Sequence, residues 1–197
     1  MGVNLQKGQK IDLTKGNSGL RSIMVGLGWD EAERTGGLLG MFKSAPQAID
    51  CDASAILCDE SGHATELVYY GNLRDKSSAV VHQGDNLTGE GEGDDEEIFV
   101  DLASLPQSVG KIVFVVNIYE AQPRKQHFGM IKNAFIRLVD SAKNSEICRY
   151  NLSENYDGMT GLVVGEIYRY QGEWKFSAVG APVKEASRVD SLVAMYR

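Results

Sequence analysis

The sequence is poor in the residues that announce a disulfide framework, a zinc site or a membrane span. Its 197 residues hold three cysteines, Cys51, Cys58 and Cys148, and no CxxC pair. That odd count and open spacing exclude a disulfide-stapled scaffold and a zinc knuckle, and point to free thiols in a reducing compartment. Histidine is equally sparse. His63, His82 and His127 show neither HxxH nor HExxH spacing, so they read as surface or structural groups rather than ligands. The longest apolar stretch, 112–116, falls far short of the roughly 20 residues needed to cross a bilayer. No apolar run with basic flanks opens the sequence, so no signal peptide is expected, and the protein is expected to be soluble and cytoplasmic. Basic residues are in deficit too. A formal net charge of −7 disfavours DNA or RNA, whose phosphates it would repel.

Nucleophilic chemistry is also thinly provided. Ser54 has no GxSxG elbow and no neighbouring histidine, which argues against a hydrolase nucleophile. Cys51 lies between Asp50 and Asp52; negative neighbours raise a thiol pKa and make a poor nucleophile. No catalytic residue is expected, and the protein is read as a non-enzyme.

What the chain does have is a series of short β-prone runs separated by turn residues, at 21–28, 53–58, 66–70, 79–82, 98–102, 111–119, 133–140, 145–152, 162–170 and 174–179. Such a series, with few helical patterns and no internal repeat, predicts a β-sandwich or barrel. The run IVFVVNIY is apolar on both faces and should form a central, doubly covered strand. Tyr170-Gln171-Gly172-Glu173 predicts a tight turn between two strands, and 185–196 a short helix. The aromatics Tyr69, Tyr70, Trp174 and Phe176 fall in strand patterns and read as core.

Two segments stand apart from this pattern. Residues 30–50 contain GGLLGMFKSAP. Leu38, Leu39, Met41 and Phe42 make either a small lid or an exposed docking tip. Residues 84–97 read GDNLTGEGEGDDEE, with seven carboxylates from Asp85 onward and no basic residue. So many like charges in one ordered loop repel strongly without a counter-ion. The residues therefore leave two readings, a solvated acidic linker or a cation site. Oxygen donors without His or Cys suit Ca²⁺ or Mg²⁺, and glycines let backbone carbonyls turn inward to complete the shell. Familiar motifs fail. An EF-hand beginning at Asp85 would need ligands at Leu87 and Gly89 and a glycine at Glu90. A P-loop would need a lysine at Glu90.

These segments, taken together, resemble one family. The opening GVNLQKGQKIDLTK, then VGLGWD (25–30), CDASAILCD (51–59), VYYGNL (68–73), HQGDNLTGEGEGDDE (82–96), FGMIKNAFIRLVD (128–140) and GEIYRYQGEWKFSAVG follow in order over residues 1–180. The chain is similar to the TerD-like tellurium-resistance and general-stress proteins. The resemblance implies an all-β, two-sheet antiparallel β-sandwich with long loops at one end and a short C-terminal helix. It implies a single TerD-like domain over 1–197, with an insertion at about 31–49. It also implies one or two bound Ca²⁺ ions, with Asp85, Asn86, Thr88, Gly91, Asp94, Asp95 and Glu96 as ligands, and with Asp30 and Asp52 closing the site from neighbouring loops. The function it implies is that of a non-catalytic calcium-binding stress-response protein. Its partners would be calcium and other stress or tellurium-resistance proteins, membrane-associated ones included. The alternatives are a metal-dependent hydrolase built on the same carboxylates, or a scaffold whose calcium is purely structural.

Overall fold

A computed structural model of the chain describes residues 2–31, 48–84, 93–186 and 188–197. The apolar tip at Leu38, Leu39, Met41 and Phe42, with most of the expected insertion, lies outside these residues. So do Asp85, Asn86, Thr88 and Gly91.

Among the described residues, twelve strands form two six-stranded sheets, an all-β sandwich. They are β1 (Val3–Leu5), β2 (Lys10–Asp12), β3 (Ser22–Glu31), β4 (Cys51–Cys58), β5 (Ala64–Val68) and β6 (Val80–His82). After them come β7 (Glu96–Asp101), β8 (Lys111–Ile118), β9 (Ile131–Asp140), β10 (Ser145–Asn151), β11 (Gly161–Tyr170) and β12 (Glu173–Val183). The first sheet has the order β1-β10-β9-β3-β7-β6 and the second β2-β12-β11-β8-β4-β5. Every pairing is antiparallel except β1 with β10. Two short helices, α1 (Ala121–Arg124) and α2 (Val189–Val193), complete the fold.

Period-two alternation decides what each sheet buries. On β3, Ile23, Val25, Leu27 and Trp29 enter the core between the sheets, which leaves Gly26, Gly28 and Asp30 on the outer face. On β4, Cys51, Ala53, Ala55 and Leu57 enter the same core. Ile56 and Cys58 face outward and pack with Val113, Val115, Ala186 and Leu192. The second sheet is therefore covered on part of its outer face by the C-terminal segment, and β8 is buried on both faces, as IVFVVNIY predicts.

The predicted hairpin is present. Gln171 and Gly172 both have positive φ, 54° and 81°, the conformation that lets a two-residue turn follow the twist of its strands. Other boundaries differ. Strands β1 and β2 are three residues each, too short to show a period, and the reading of residues missed them. The C-terminal helix is shorter than the expected 185–196 and ends in a 3-10 turn. Strand β7 begins at Glu96 rather than at residue 98, so the last carboxylates of the acidic run belong to a strand.

Phe176, fully buried on β12, fills the space above Gly165, where a β-carbon would come within 2.7 Å of its ring. Phe176→Ala is expected to lower unfolding free energy by about 3–5 kcal/mol, measured by urea denaturation.

A carboxylate cluster on the outer face of the first sheet

Gly26 and Gly28 leave a bare strip of backbone on the outside of β3, and the end of the acidic run lies in it. A β-carbon on Gly26 would overlap the Asp94 carboxylate; one on Gly28 would meet the Phe135 ring and come within 2.6 Å of the Gly93 carbonyl. Gly93 itself turns with φ 124°, a conformation open to glycine. Neither strand glycine is a flexibility device. Each is missing a side chain because another residue occupies that volume.

Asp94 is fixed in the strip by Arg137 of β9. The guanidinium donates from Nε to Oδ1 at 2.8 Å and from Nη2 to Oδ2 at 2.8 Å. The Asp94 side chain is 2% exposed and that of Arg137 30%. This two-pronged geometry is the strong form of a charge-assisted contact, and it raises the Arg137 pKa above its ordinary value. Glu146 approaches the same guanidinium, 3.6 Å from Nη1.

Asp95 follows on the same surface. Its backbone N–H donates to the Leu27 carbonyl at 2.8 Å, and its Oδ2 accepts the Trp29 N–H at 2.7 Å. Burial raises the Asp95 pKa above the usual carboxylate range; the Asp30 and Asp94 charges add to the rise and the Trp29 bond opposes it. Asp30 is exposed at the end of the glycine strip, where the β3–β9 register shifts between Gly28 and Asp30. Its Oδ2 accepts from Asn133 Nδ2 at 2.7 Å. Asn133 has φ 54°, a left-handed conformation that asparagine tolerates better than most residues.

The other expected ligands lie elsewhere. Glu96 is buried between the sheets. Its Oε2 accepts the Ala53 N–H at 2.6 Å and lies 3.5 Å from His82 Nε2. The Gly84 N–H donates to His82 Nδ1 at 3.1 Å, so Nε2 carries the imidazole proton and faces the Ala53 carbonyl at 3.2 Å. Glu96 thus ties β7 to β4 across the core. Asp52 is on the outer face of the second sheet, where its Oδ2 accepts from Asn117 Nδ2 at 3.2 Å. Of the expected ligand set, the structure places Asp30, Asp94 and Asp95 on one surface, Glu96 in the core and Asp52 on the outer face of the second sheet.

The fit to a hard cation rests on Asp30 and Asp95. Among the described residues each carboxylate uses Oδ2 in one hydrogen bond, which leaves Oδ1 to face a cation, and burial with the neighbouring charges raises the Asp95 pKa. Asp94 has both oxygens on Arg137 and acts as an anchor. Among the described residues no three His, Cys, Asp or Glu side chains converge as a metal shell. Calcium takes six to eight oxygens, so residues 85–92 would have to supply the remainder.

Reading the residues one by one missed Arg137, Gly26 and Gly28. Their signals were present: two glycines at alternate positions of a strand otherwise rich in large residues, and an arginine within an apolar β run. Cys51 behaves as expected. It is buried, and burial first, then Glu96, Asp52 and Asp50, raise its pKa well above the ordinary thiol value.

Two outcomes are expected from this geometry. Arg137→Ala strands a buried carboxylate and should destabilise the protein by about 3 kcal/mol or more; Gly26→Ala, which expels Asp94, should act in the same direction in urea denaturation. Asp95→Asn keeps an acceptor for Trp29 and removes the charge. A carboxyl whose folded pKa is raised lowers stability above that pKa, and the loss is relieved as pH falls through it. Asp95→Asn should therefore raise the melting temperature of metal-free protein at neutral pH. The gain should vanish below about pH 4, where the unfolded chain is protonated as well.

The comparisons with known proteins agree with this architecture. The chain matches the TerD domain family over residues 1–196. It is 48% identical to stress response protein SCP2 of Bacillus subtilis over 200 residues, covering 100% of both chains. It is 43% identical to tellurium resistance protein TerD of Serratia marcescens over 183 residues, covering 91% of this chain and 90% of that one. Among solved structures, a homologue of telluride resistance protein (TerD) from Streptomyces coelicolor superposes with a TM-score of 0.62 at 19% identity, covering 85% of this chain and 92% of the other. The family match over residues 1–196, together with 43–48% identity across nine-tenths or more of the chain, assigns this protein to the TerD domain family of stress-response and tellurium-resistance proteins.

Proposed function

We propose that this protein is a non-catalytic, calcium-binding member of the family, with its site at Asp30 and Asp95 and in the acidic segment between Gly84 and Gly93. The observation that carries the reading is geometric: Asp95, held by the Trp29 N–H, and Asp30, held by Asn133, each keep a carboxylate on one surface at the base of a segment rich in carboxylates, and burial with the neighbouring charges raises the Asp95 pKa. A divalent cation would replace mutual repulsion of these carboxylates by attraction. Within this arrangement, Arg137 and Asp94 hold the end of the segment against the sheet, Asn133 orients Asp30, and the Trp29 N–H orients Asp95.

The non-catalytic part of the reading is supported by the same residues. A metal-dependent hydrolase needs a general base and a group that stabilises developing negative charge. Arg137, the cation of this cluster, is committed to Asp94 and Glu146. The protein is read as acting through partners in the cytoplasm, in stress response and tellurium resistance, as the names of its relatives suggest. Its three free cysteines suit a reducing compartment.

Calcium at 100 times its dissociation constant should stabilise metal-stripped protein by about 2.7 kcal/mol per site, seen as a rise in melting temperature of several degrees. Magnesium, which demands a smaller octahedral shell and keeps its waters, should do less. Asp30→Asn and Asp95→Asn should each remove most of the calcium effect. An unmoved wild-type melting curve would make the acidic segment a solvated linker.

A further inference from the structure

The outer face of the second sheet is only partly covered by the C-terminal segment. Beyond that cover lies a cleft of about 450 Å³, within the size range of small-molecule sites. It does not share the carboxylate cluster described above, and nothing in the calcium reading uses it.

Its floor is polar and deeply buried. Asp52, Ser54 and Asn117 project from β4 and β8, with 4%, 1% and 2% of their surfaces exposed. Asn117 stands directly opposite Asp52 in the ladder, and its Nδ2 donates to Asp52 Oδ2. That bond directs the other end of the amide, Oδ1, away from the aspartate. Asn117 Oδ1 and Ser54 Oγ are both buried and have no hydrogen-bond partner among the described residues. Burying a polar atom without a partner is unfavourable, and two such acceptors on neighbouring strands of one cleft floor suit a ligand that donates hydrogen bonds.

The walls are aromatic. Tyr69, Tyr70 and Tyr119 line the cleft. Tyr69 and Tyr70 pack edge to face, with ring centroids 5.1 Å apart. Tyr119 already holds one cation, with Arg124 Cζ 5.0 Å from its ring centroid. The charge around the cleft is predominantly negative. Asp52 lies on the floor, with Glu120 and Asp190 at the rim. Among the described residues the one basic lining group is Arg188, whose side chain is 81% exposed and lies 3.6 Å from Asp190.

Each feature restricts the occupant. Unpaired acceptors on the floor ask for N–H donors. The negative lining disfavours an anion and favours a positive charge, and tyrosine faces bind both cations and apolar bodies. A bare divalent ion could use the floor oxygens but would leave the rings and most of the volume to water. We propose that this cleft binds a small organic amine, its ammonium seated on Asn117 Oδ1, Ser54 Oγ and Asp52, and its aryl or alkyl body held against Tyr69, Tyr70 and Tyr119.

Isothermal titration of the full chain tests this, with phenethylamine as the probe and 2-phenylethanol as its neutral counterpart. About 0.15 M salt, where the Debye length is about 8 Å, suppresses loose attraction of the amine to the acidic segment. Saturable binding of one amine per chain is expected, with the alcohol at least about tenfold weaker. Ser54→Ala, which removes one floor acceptor, and Tyr119→Ala, at the half-exposed rim, should each weaken the amine by about three- to tenfold. Circular dichroism would verify that each variant is folded. Asp95→Asn, in the other cluster, should leave amine binding unchanged, which separates this site from the calcium reading. The proposal is overturned if the amine gives no saturable binding, if the alcohol binds equally well, or if both folded variants bind like wild type. Displacement of the amine by calcium chloride in the Asp95→Asn protein would also overturn it, since the floor would then be a hard-cation site.

Discussion

The Arg137–Asp94 pair sets the geometry of the site. Asp94 is almost wholly buried on the outside of a sheet, where a lone carboxylate would be costly. It is tolerated because the guanidinium meets both oxygens and because Gly26 and Gly28 leave room for it. Once Asp94 is seated, the backbone on either side has little freedom. Gly93 lies against Gly28, Asp95 bonds to Leu27 and Trp29, and Glu96 enters β7. One ion pair therefore fixes where the acidic segment leaves the sheet and which carboxylates remain available for other work.

Three adjacent acids then have three roles. Asp94 faces outward and is neutralised. Asp95 is held with an unfavourable charge. Glu96 turns inward to the Ala53 N–H and His82. A run that looks like one block of negative charge is divided by strand alternation and by the partners each side chain meets. The division matters for function, because only a group whose charge is poorly compensated gains much from a bound cation. Asp30, placed by a register shift and by Asn133, joins Asp95 and not Glu96.

Much of the fold was legible because strand periodicity is a local property. IVFVVNIY had to be a doubly covered strand, and Gln171-Gly172 had to turn. The acidic run was legible as unusual, and the family resemblance supplied a role for it. The partition of its members was not legible. Alternation shows that Asp52 and Ser54 share a face of β4, but the sheet that β4 joins is fixed by pairing with β8, some sixty residues later in the chain. The same holds for Arg137, whose partner is 43 positions away. The burial of Glu96 was hidden for a different reason: a carboxylate is expected in water, and its place in the core depends on a backbone N–H and a histidine contributed by β4 and β6.

The central claim is that a hard cation is held at Asp30 and Asp95, beside Trp29. Terbium, a luminescent ion that takes the oxygen ligands calcium prefers, tests it most directly. With tryptophan excited, terbium bound to the wild-type protein should show sensitised emission that added calcium extinguishes. The emission should fall sharply in Trp29→Phe, and in Asp30→Asn or Asp95→Asn. Emission that is absent in the wild type, or that survives all three substitutions unchanged, would contradict the account.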